Sequence, residues 1–140
     1  MATTFRQKIH YTASQIDFSA IATTANSKAI PVSDFVKIGL NFATASNANL
    51  TVKVQGSIGT TAPNFAAPAS PSNPWFYVDI APLDNAGVVV DGDTGIVWAG
   101  TDACRGVEIN ADTLDYIALV VTARSAGSVT CTSLTALTNG

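Results

Sequence analysis

The sequence predicts an all-β fold: an antiparallel β-sandwich, specifically a jelly roll of about eight strands. Short segments in which apolar and polar residues alternate recur along the chain with turn signals between them, which is typical of sandwiches and barrels. No segment shows the sustained periodicity of a helix. Only 12% of the 140 residues are charged and Glu108 is the only glutamate, a composition that suits strands better than exposed helix faces.

The expected organisation is a single jelly-roll domain over residues 1–140, with an N-terminal arm over residues 1–12 and a long loop over residues 59–74. An immunoglobulin-like sandwich is the alternative fold. It typically needs only about 100 residues and seven strands, and its cysteine and tryptophan landmarks are absent from this sequence. The larger number of short strands and the long loop favour the jelly roll.

The N-terminal residues 4–12 predict an edge strand or an arm with one basic face. Apolar residues alternate with basic residues there, so the two kinds of side chain would point to opposite sides of a strand. The basic residues are Arg6, Lys8 and His10. A second short strand is predicted over residues 15–21.

Two strands with one apolar face each are predicted in the first half of the chain, over residues 34–42 and 50–58. In both, apolar residues occupy nearly every second position. Residues 43–49, rich in Ala, Ser and Asn, are interpreted as a loop between these strands. One buried face and one polar face indicate an antiparallel sheet.

The loop 59–74 interrupts this pattern, with 16 residues, four of the six prolines and no charged residue. A structureless loop longer than ~12–15 residues is usually functional or disordered. Residues 75–80 and residues 107–109 predict further strands. Residues 88–98, which contain the sequence DGDTG, are interpreted either as a hairpin or as one strand interrupted by a loop.

The C-terminal residues 115–137 predict a β-hairpin. Ile117, Leu119 and Val121 share one face of a strand because side chains alternate along it. Residues 124–128 have the composition of a tight turn in which Gly127 takes the left-handed conformation. In the register that this turn implies, the apolar faces of the two strands coincide.

The charge and the lack of targeting signals argue against a nucleic-acid-binding, membrane-spanning or secreted protein. The formal net charge is −3 and no basic stripe with interleaved aromatic residues is present, which argues against a nucleic-acid partner. The longest apolar run, residues 116–121, is too short to span a bilayer, and the N-terminus lacks a signal-peptide pattern. We therefore expect assembly in a reducing cytosol with Cys104 and Cys131 as free thiols; a disulfide between them is the alternative. The low charge also indicates that a large assembly covers much of the surface.

No group of residues predicts catalysis. His10 lies in a polar phase near the N-terminus and is interpreted as a surface residue rather than a general base. Asp79 and Asp84 could pair as glycosidase carboxylates, although aspartates in turns are much commoner. We expect no enzymatic activity, no catalytic residue and no cofactor.

Three aspartates are candidate metal ligands. Asp91, Asp93 and Asp102 could offer oxygen atoms to calcium. The sequence DGDTG, however, lacks the further spaced ligands and the terminal glutamate of a calcium loop, and tight turns use the same residues. The turn interpretation is favoured, and no metal site is predicted.

Four aromatic residues lie near loops. Phe65, Trp75 and Tyr77 belong to the loop 59–74 or follow it, and Trp98 follows the DGDTG turn. Uncharged loops with aromatic anchors are a common means of holding another protein. Phe65 is interpreted equally as a core residue and as a partner contact, whereas Trp98 is interpreted as core.

A family resemblance lies in the order of several segments. They are IPVSDFVKIGLNF, LTVKVQGS, the loop running into PWFYVDI, GVEIN and the closing DYIALVVTARSAGSVT. In this order they resemble the small jelly-roll cement proteins that decorate the heads of tailed phages. The resemblance implies a non-enzymatic protein, assembled in the host bacterial cytoplasm, that binds the outside of the phage head and clamps neighbouring capsomers. It implies the phage major capsid protein as partner and a homo-oligomer, with a dimer as the expected state, but no nucleic-acid or membrane partner.

A carbohydrate- or receptor-binding jelly-roll module of a phage fibre is the alternative function. Such a module would need aromatic side chains on a concave face, and only Trp75 and Tyr77 share an outward phase. For the cement function, the N-terminal edge strand and the loop 59–74 are the expected contacts with the capsid. The expected contact residues are Phe5, Arg6, Lys8, Phe65 and Trp75.

Overall fold

The computed structural model describes residues 7–85 and 87–138. Its regular structure is nearly all β, in one antiparallel sheet of eight strands, which confirms the predicted all-β antiparallel architecture. The strands are β1 (Lys8–Tyr11), β2 (Ile30–Pro31), β3 (Phe35–Ser57), β4 (Phe76–Tyr77), β5 (Ala81–Pro82), β6 (Ile96–Ala99), β7 (Cys104–Asn110) and β8 (Tyr116–Thr138), with one helical turn, α1 (Ala13–Ile16).

Two 23-residue strands, β3 and β8, form a ribbon on which the rest of the sheet is built. They pair antiparallel along their whole length, from Phe35 opposite Thr138 to Ser57 opposite Tyr116. The predicted C-terminal hairpin is therefore wrong, because residues 124–128 continue β8 instead of folding it back on itself. The predicted loop 43–49 is likewise part of β3, which joins the predicted strands 34–42 and 50–58 into one.

The ribbon bends at a β-bulge opposite Gly127. Over residues 45–49, β3 contains more residues than the facing part of β8, and such an excess bends a strand. Ser46 and Asn47 have φ angles of 63° and 53°, and Gly127 has a φ angle of 75°, as predicted for Gly127. A Cβ atom on Gly127 would lie 2.5 Å from the Cα atom of Ala48. The position therefore requires glycine for its conformation and for its lack of a side chain.

The carboxylate of Asp102 holds the bulge. The backbone N–H groups of Asn47 and Ala48 donate hydrogen bonds to its Oδ2 and Oδ1 atoms at 3.1 and 2.9 Å. These bonds, that from Ala48 foremost, hold the pKa of Asp102 below its ordinary value of 3.8, because they stabilise the ionised carboxylate. Asp102 thus completes hydrogen bonds that the bulge would otherwise leave unmade.

The side of β3 that faces away from β8 has different neighbours before and after the bend. Strand β7 pairs with residues 37–43 and β6 pairs with residues 49–52. Trp98 of β6 is buried. The ring centroids of Trp98 and Phe42 are 6.2 Å apart, and those of Phe42 and Phe18 are 6.3 Å apart. The predicted core position of Trp98 is confirmed. The strand predicted at residues 107–109 is also confirmed, as β7.

Three other predicted elements differ from the structure. Residues 15–21 contain no named strand, and the first two of them belong to α1. This helical turn is capped at its start, where Gln15 Oε1 accepts the backbone N–H of Thr12 at 2.7 Å, as in a capping box. Within residues 75–80, only Phe76–Tyr77 forms a named strand, paired with β3. Neither interpretation of residues 88–98 is correct, since Val90 bridges to Ile80 and β6 pairs with β3.

Candidate partner-binding surfaces

The bulge divides the β3–β8 ribbon into two halves with different outer faces. The open half contains residues 35–45 and 128–138, and the covered half contains residues 49–57 and 116–126. The inner faces of both halves pack into the same hydrophobic core. On the outer face of the open half, alternate side chains are exposed or half-exposed, whereas in the covered half Gln55 and Ser57 are buried.

The outer face of the open half is formed by small and polar residues. Two cross-strand pairs lie at its centre, Gly39 with Thr135 and Asn41 with Gly106. Because the two glycines have no side chains, a shallow groove of about 320 Å³ crosses this face, with Lys8 at one side. The groove therefore presents backbone atoms and short polar side chains at its centre.

Strand β1 forms one edge of the sheet beside this groove. It pairs with β8, with Lys8 opposite Leu137, and the predicted edge strand is confirmed. In an antiparallel pair, alternate residues direct their N–H and C=O groups away from the partner, so an edge can accept a strand from another chain. Lys8 is exposed. Two other expected contact residues, Phe5 and Arg6, lie outside the described residues.

The loop between Ile80 and Val90 carries large apolar side chains into solvent. The backbones of Ile80 and Val90 exchange hydrogen bonds of 3.0 and 2.7 Å at the base of this loop. Leu83 is 60% exposed, Val88 40% and Val89 66%, and Leu83 lines the groove at the side opposite Lys8. Exposed apolar side chains beside a groove are candidates for contact with a partner. These residues were not predicted as contacts, although the run GVVV was a signal for Val88 and Val89.

The loop 59–74 packs on the outer face of the covered half. Phe65 is only 6% exposed, and its carbonyl oxygen accepts hydrogen bonds from Gln55 Nε2 at 2.8 Å and from Asn26 Nδ2 at 3.2 Å. Phe65, Ala118 and Val120 are buried but lie outside the main core cluster. Phe65 is therefore an anchor of the loop, which supports its core interpretation, and its ring is not available as a contact with another protein.

Trp75 and Tyr77 belong to the same layer as Phe65. Their ring centroids are 5.1 Å apart, and that of Trp75 is 6.5 Å from that of Phe65. The indole N–H of Trp75 donates to the carbonyl oxygen of Ala67 at 2.9 Å, and Lys53 Nζ lies 4.7 Å from the Tyr77 ring centroid. Trp75 is half-buried. The structure thus brings Trp75 to Phe65 but separates both from Lys8, which lies on the open half.

Several aspartates stabilise local structure by accepting backbone hydrogen bonds. Asp79 Oδ1 accepts the backbone N–H of Gly92 at 2.9 Å, and Asp91 Oδ1 accepts that of Asp93 at 2.8 Å, so the DGDTG segment is a turn as predicted. Residues 7–85 and 87–138 contain no group of three or more His, Cys, Asp or Glu side chains that could hold a metal ion. No helix in those residues is long and apolar enough to cross a membrane.

The two cysteines are unpaired and differ in environment. Cys104 is exposed and Cys131 is buried. Burial raises the pKa of the Cys131 thiol to about 12, because the apolar core disfavours the thiolate. Cys131 is accordingly a small core residue, as predicted.

The comparison with known proteins identifies the fold. No protein-family model matches the chain, and no curated protein sequence does. Among solved structures, the chain resembles the SPBc2 prophage-derived protein YomS, with a TM-score of 0.66 and 7% identity over 99% of both chains. It also resembles the PBSX exported protein XepA, with a TM-score of 0.61 and 12% identity over 99% of this chain and 40% of that chain. At these identities the likeness establishes a shared all-β fold.

Proposed function

We propose that this protein is a non-enzymatic cement protein of a tailed-phage head, which binds the outside of the capsid shell and clamps neighbouring capsomers. The sequence resemblance to cement proteins, in particular to that of a Bordetella podovirus, supports this function. The fold likeness to a prophage-derived protein also supports a phage origin. The partner is the major capsid protein, and the assembled protein lies on the outer surface of the head.

The observation that carries the proposal is the outer surface of the open half. In the part of the chain that the structure describes, three features lie next to one another there: the sheet edge at β1, a groove with two glycines at its floor, and an exposed apolar loop. An exposed edge and exposed apolar side chains are costly on a protein that works alone. In contact with a capsid, Leu83 would be buried and β1 would gain hydrogen-bond partners.

The charge distribution of the open half fits a polar, hydrated contact. Among the described residues, Lys37 and Glu108 form the ion pair of this half, with 3.2 Å between Lys37 Nζ and Glu108 Oε1. Lys8 is not part of this pair and can bind an acidic group on the capsid. Both partners of that pair are solvent-accessible, so the pair adds little stability. Binding through Lys8 is expected to weaken with salt because exposed charges are screened.

Clamping requires that one decoration unit reach two capsomers. A homodimer meets this requirement by presenting two copies of the open half. The dimer is therefore part of the proposal, and size-exclusion chromatography with light scattering tests it. Assembly takes place in the host bacterial cytoplasm, where the exposed thiol of Cys104 would stay reduced.

The experiment measures binding of the purified protein to phage heads by co-sedimentation. Leu83→Asp replaces an apolar side chain that is 60% exposed with a charged one. It is expected to weaken head binding at least about tenfold, which corresponds to a loss of about 1.4 kcal/mol of binding free energy. Ile58→Asp is the matched control, since Ile58 is also 60% exposed but lies at the end of the covered half. Equal binding by both variants, or no binding by the parent protein, would contradict the proposal.

A further inference from the structure

We propose that the covered half carries a second binding site, a pocket for a neutral polyhydroxylated ligand of the glycan class. The pocket lies between the end of β3 and the loop 59–74. Its volume is about 360 Å³, within the range of small-molecule sites. This site is separate from the capsid contact on the open half.

The chemistry of the lining defines the ligand class. No charged side chain lines the pocket, so an ionic ligand would lose its hydration without gaining a counter-charge. The polar lining residues carry hydroxyl and amide groups, each of which can both donate and accept hydrogen bonds. They are Ser57, Thr60, Thr61, Asn64, Ser72 and Asn73. The amide of Asn73 is engaged by hydrogen bonds within the loop. The serine and threonine hydroxyls are therefore the groups that match the hydroxyls of a neutral sugar.

Ser57 supplies an unfilled hydrogen-bonding position at this pocket. The residue is only 2% exposed, and among the described residues its Oγ atom is a buried side-chain polar atom without a hydrogen-bond partner. Buried polar groups are nearly always satisfied, and an exception points to a strained or functional site or to a partner not yet placed. Ser57 also lines the pocket, and we infer that a ligand hydroxyl entering beside it is the missing partner.

The pocket wall is held in place by its own hydrogen bonds. Asn64 and Asn73 are joined by two of them: the Asn64 backbone N–H donates to Asn73 Oδ1 at 2.8 Å, and Asn73 Nδ2 donates to the Asn64 carbonyl oxygen at 2.9 Å. The N–H of Gly59 donates to Asp115 Oδ2 at 2.7 Å. Pro63 and Pro74 also line the pocket and restrict its backbone. A wall fixed in this way costs little entropy to order on binding.

Binding is tested by NMR titration of the isotopically labelled full-length protein with neutral probes. The probes are lactose, maltotriose and chitotriose, and trigalacturonic acid serves as the charged comparison. At least one neutral probe is expected to shift the amide signals around residues 57–64 and 72–74 at millimolar concentration, whereas the charged trisaccharide leaves them unchanged. If none of the neutral probes shifts these signals, or if the charged one does so more strongly, the proposal is overturned.

Two variants locate the site. Ala62→Trp introduces a bulky side chain at an exposed position that lines the pocket, and Ala69→Trp introduces the same side chain at an exposed position of the loop outside the lining. Ala62→Trp is expected to abolish the shifts and Ala69→Trp to preserve them. If both variants bind alike, the ligand lies elsewhere and the assigned pocket is wrong.

Ser57→Ala separates ligand recognition from structural support. Removing an unpartnered buried hydroxyl should leave thermal stability unchanged or raise it, while affinity for the probe falls about fivefold to tenfold with the lost hydrogen bond. A loss of stability with unchanged affinity would assign Ser57 to the fold alone. Head binding by these variants is expected to be normal, so this proposal and the cement function succeed or fail separately.

Discussion

The open and covered halves of the ribbon are built from the same two strands, yet their outer faces differ. In both halves, alternate residues face one core and the others face away from it. In the open half these outward residues stay accessible around Gly39 and Thr135. In the covered half, Gln55 and Ser57 are buried because the loop 59–74 packs over them. Alternation thus specifies which side chains face away from the main core, and the loop decides which of those meet solvent.

The largest loss of stability is expected for a substitution at the bulge, which is the boundary between the halves. Gly127→Val should destabilise the protein by about 4 kcal/mol, from a strained positive φ angle and from overlap of the new side chain with β3. Gly100→Val is the control. Gly100 also has a positive φ angle, 86°, but no atom lies within 4 Å of the place that its Cβ atom would occupy. This substitution should lower the free energy of unfolding by only about 1 kcal/mol. Urea denaturation measures both. Equal losses would show that close packing at the bulge is unimportant.

The covered half should depend on its aromatic anchor. Phe65→Ala is expected to cost about 3 kcal/mol, since it empties a buried ring position beside the Gln55 hydrogen bond. Phe76→Ala, at a side chain that is 44% exposed, should cost less than about 1 kcal/mol. Thermal unfolding compares the two. A neutral Phe65→Ala would mean that the loop lies on the sheet without stabilising it.

One glycine in each half sharpens the comparison further. A Cβ atom on Gly56 would lie 2.6 Å from Val78 Cγ2, whereas on Gly39 the nearest atom, the carbonyl oxygen of Thr135, would be 3.9 Å away. Gly56→Ala should therefore cost about 1–2 kcal/mol. Gly39→Ala should be neutral or stabilising by up to about 1 kcal/mol, because glycine is unfavourable inside a strand. Chemical denaturation that ranked the pair in reverse order would contradict the core-facing position of Gly56 and the open position of Gly39.

The smallest expected effect is a pH dependence at the bulge. The pKa of Asp102 is lower in the folded protein than its ordinary value of 3.8, so the carboxylate contributes stability above that pH and loses it as the pH falls through the folded pKa. The difference in melting temperature between the parent and Asp102→Asn should thus be largest near neutral pH and shrink in acid. A constant difference at all pH values would show that the charge of Asp102 does not hold the bulge.

Local sequence patterns predicted the strand content better than the strand partners. The alternation around Ile38 and Val52 marked both ends of β3, but Ser46 and Asn47, with positive φ angles, have the composition of a loop. A left-handed Gly127 suits a hairpin turn and a bulge equally well, and both arrangements keep the apolar residues on one face. Only the pairing of β8 with the distant β3 distinguishes them, and such long-range pairing has no local signal.

The candidate surfaces were less predictable for the same reason. Lys8 on an edge strand followed from alternation alone, and the structure confirms the edge. Phe65 could not be assigned, because its burial depends on Gln55 and Asn26, which are distant in sequence and contact it only in the folded chain. One local signal was overlooked: the Thr12–Gln15 spacing of a capping box, which explains the helical turn α1.

The most direct test of the proposed cement function is a cryo-electron microscopy map of phage heads decorated with this protein. We expect the open half, with β1 and Leu83, to face the shell between two capsomers. We also expect the loop 59–74 of the covered half to point away from the shell, with its pocket accessible. Density in which the loop 59–74 contacts the shell and the open half faces solvent would contradict both expectations, as would heads that carry no density for the protein.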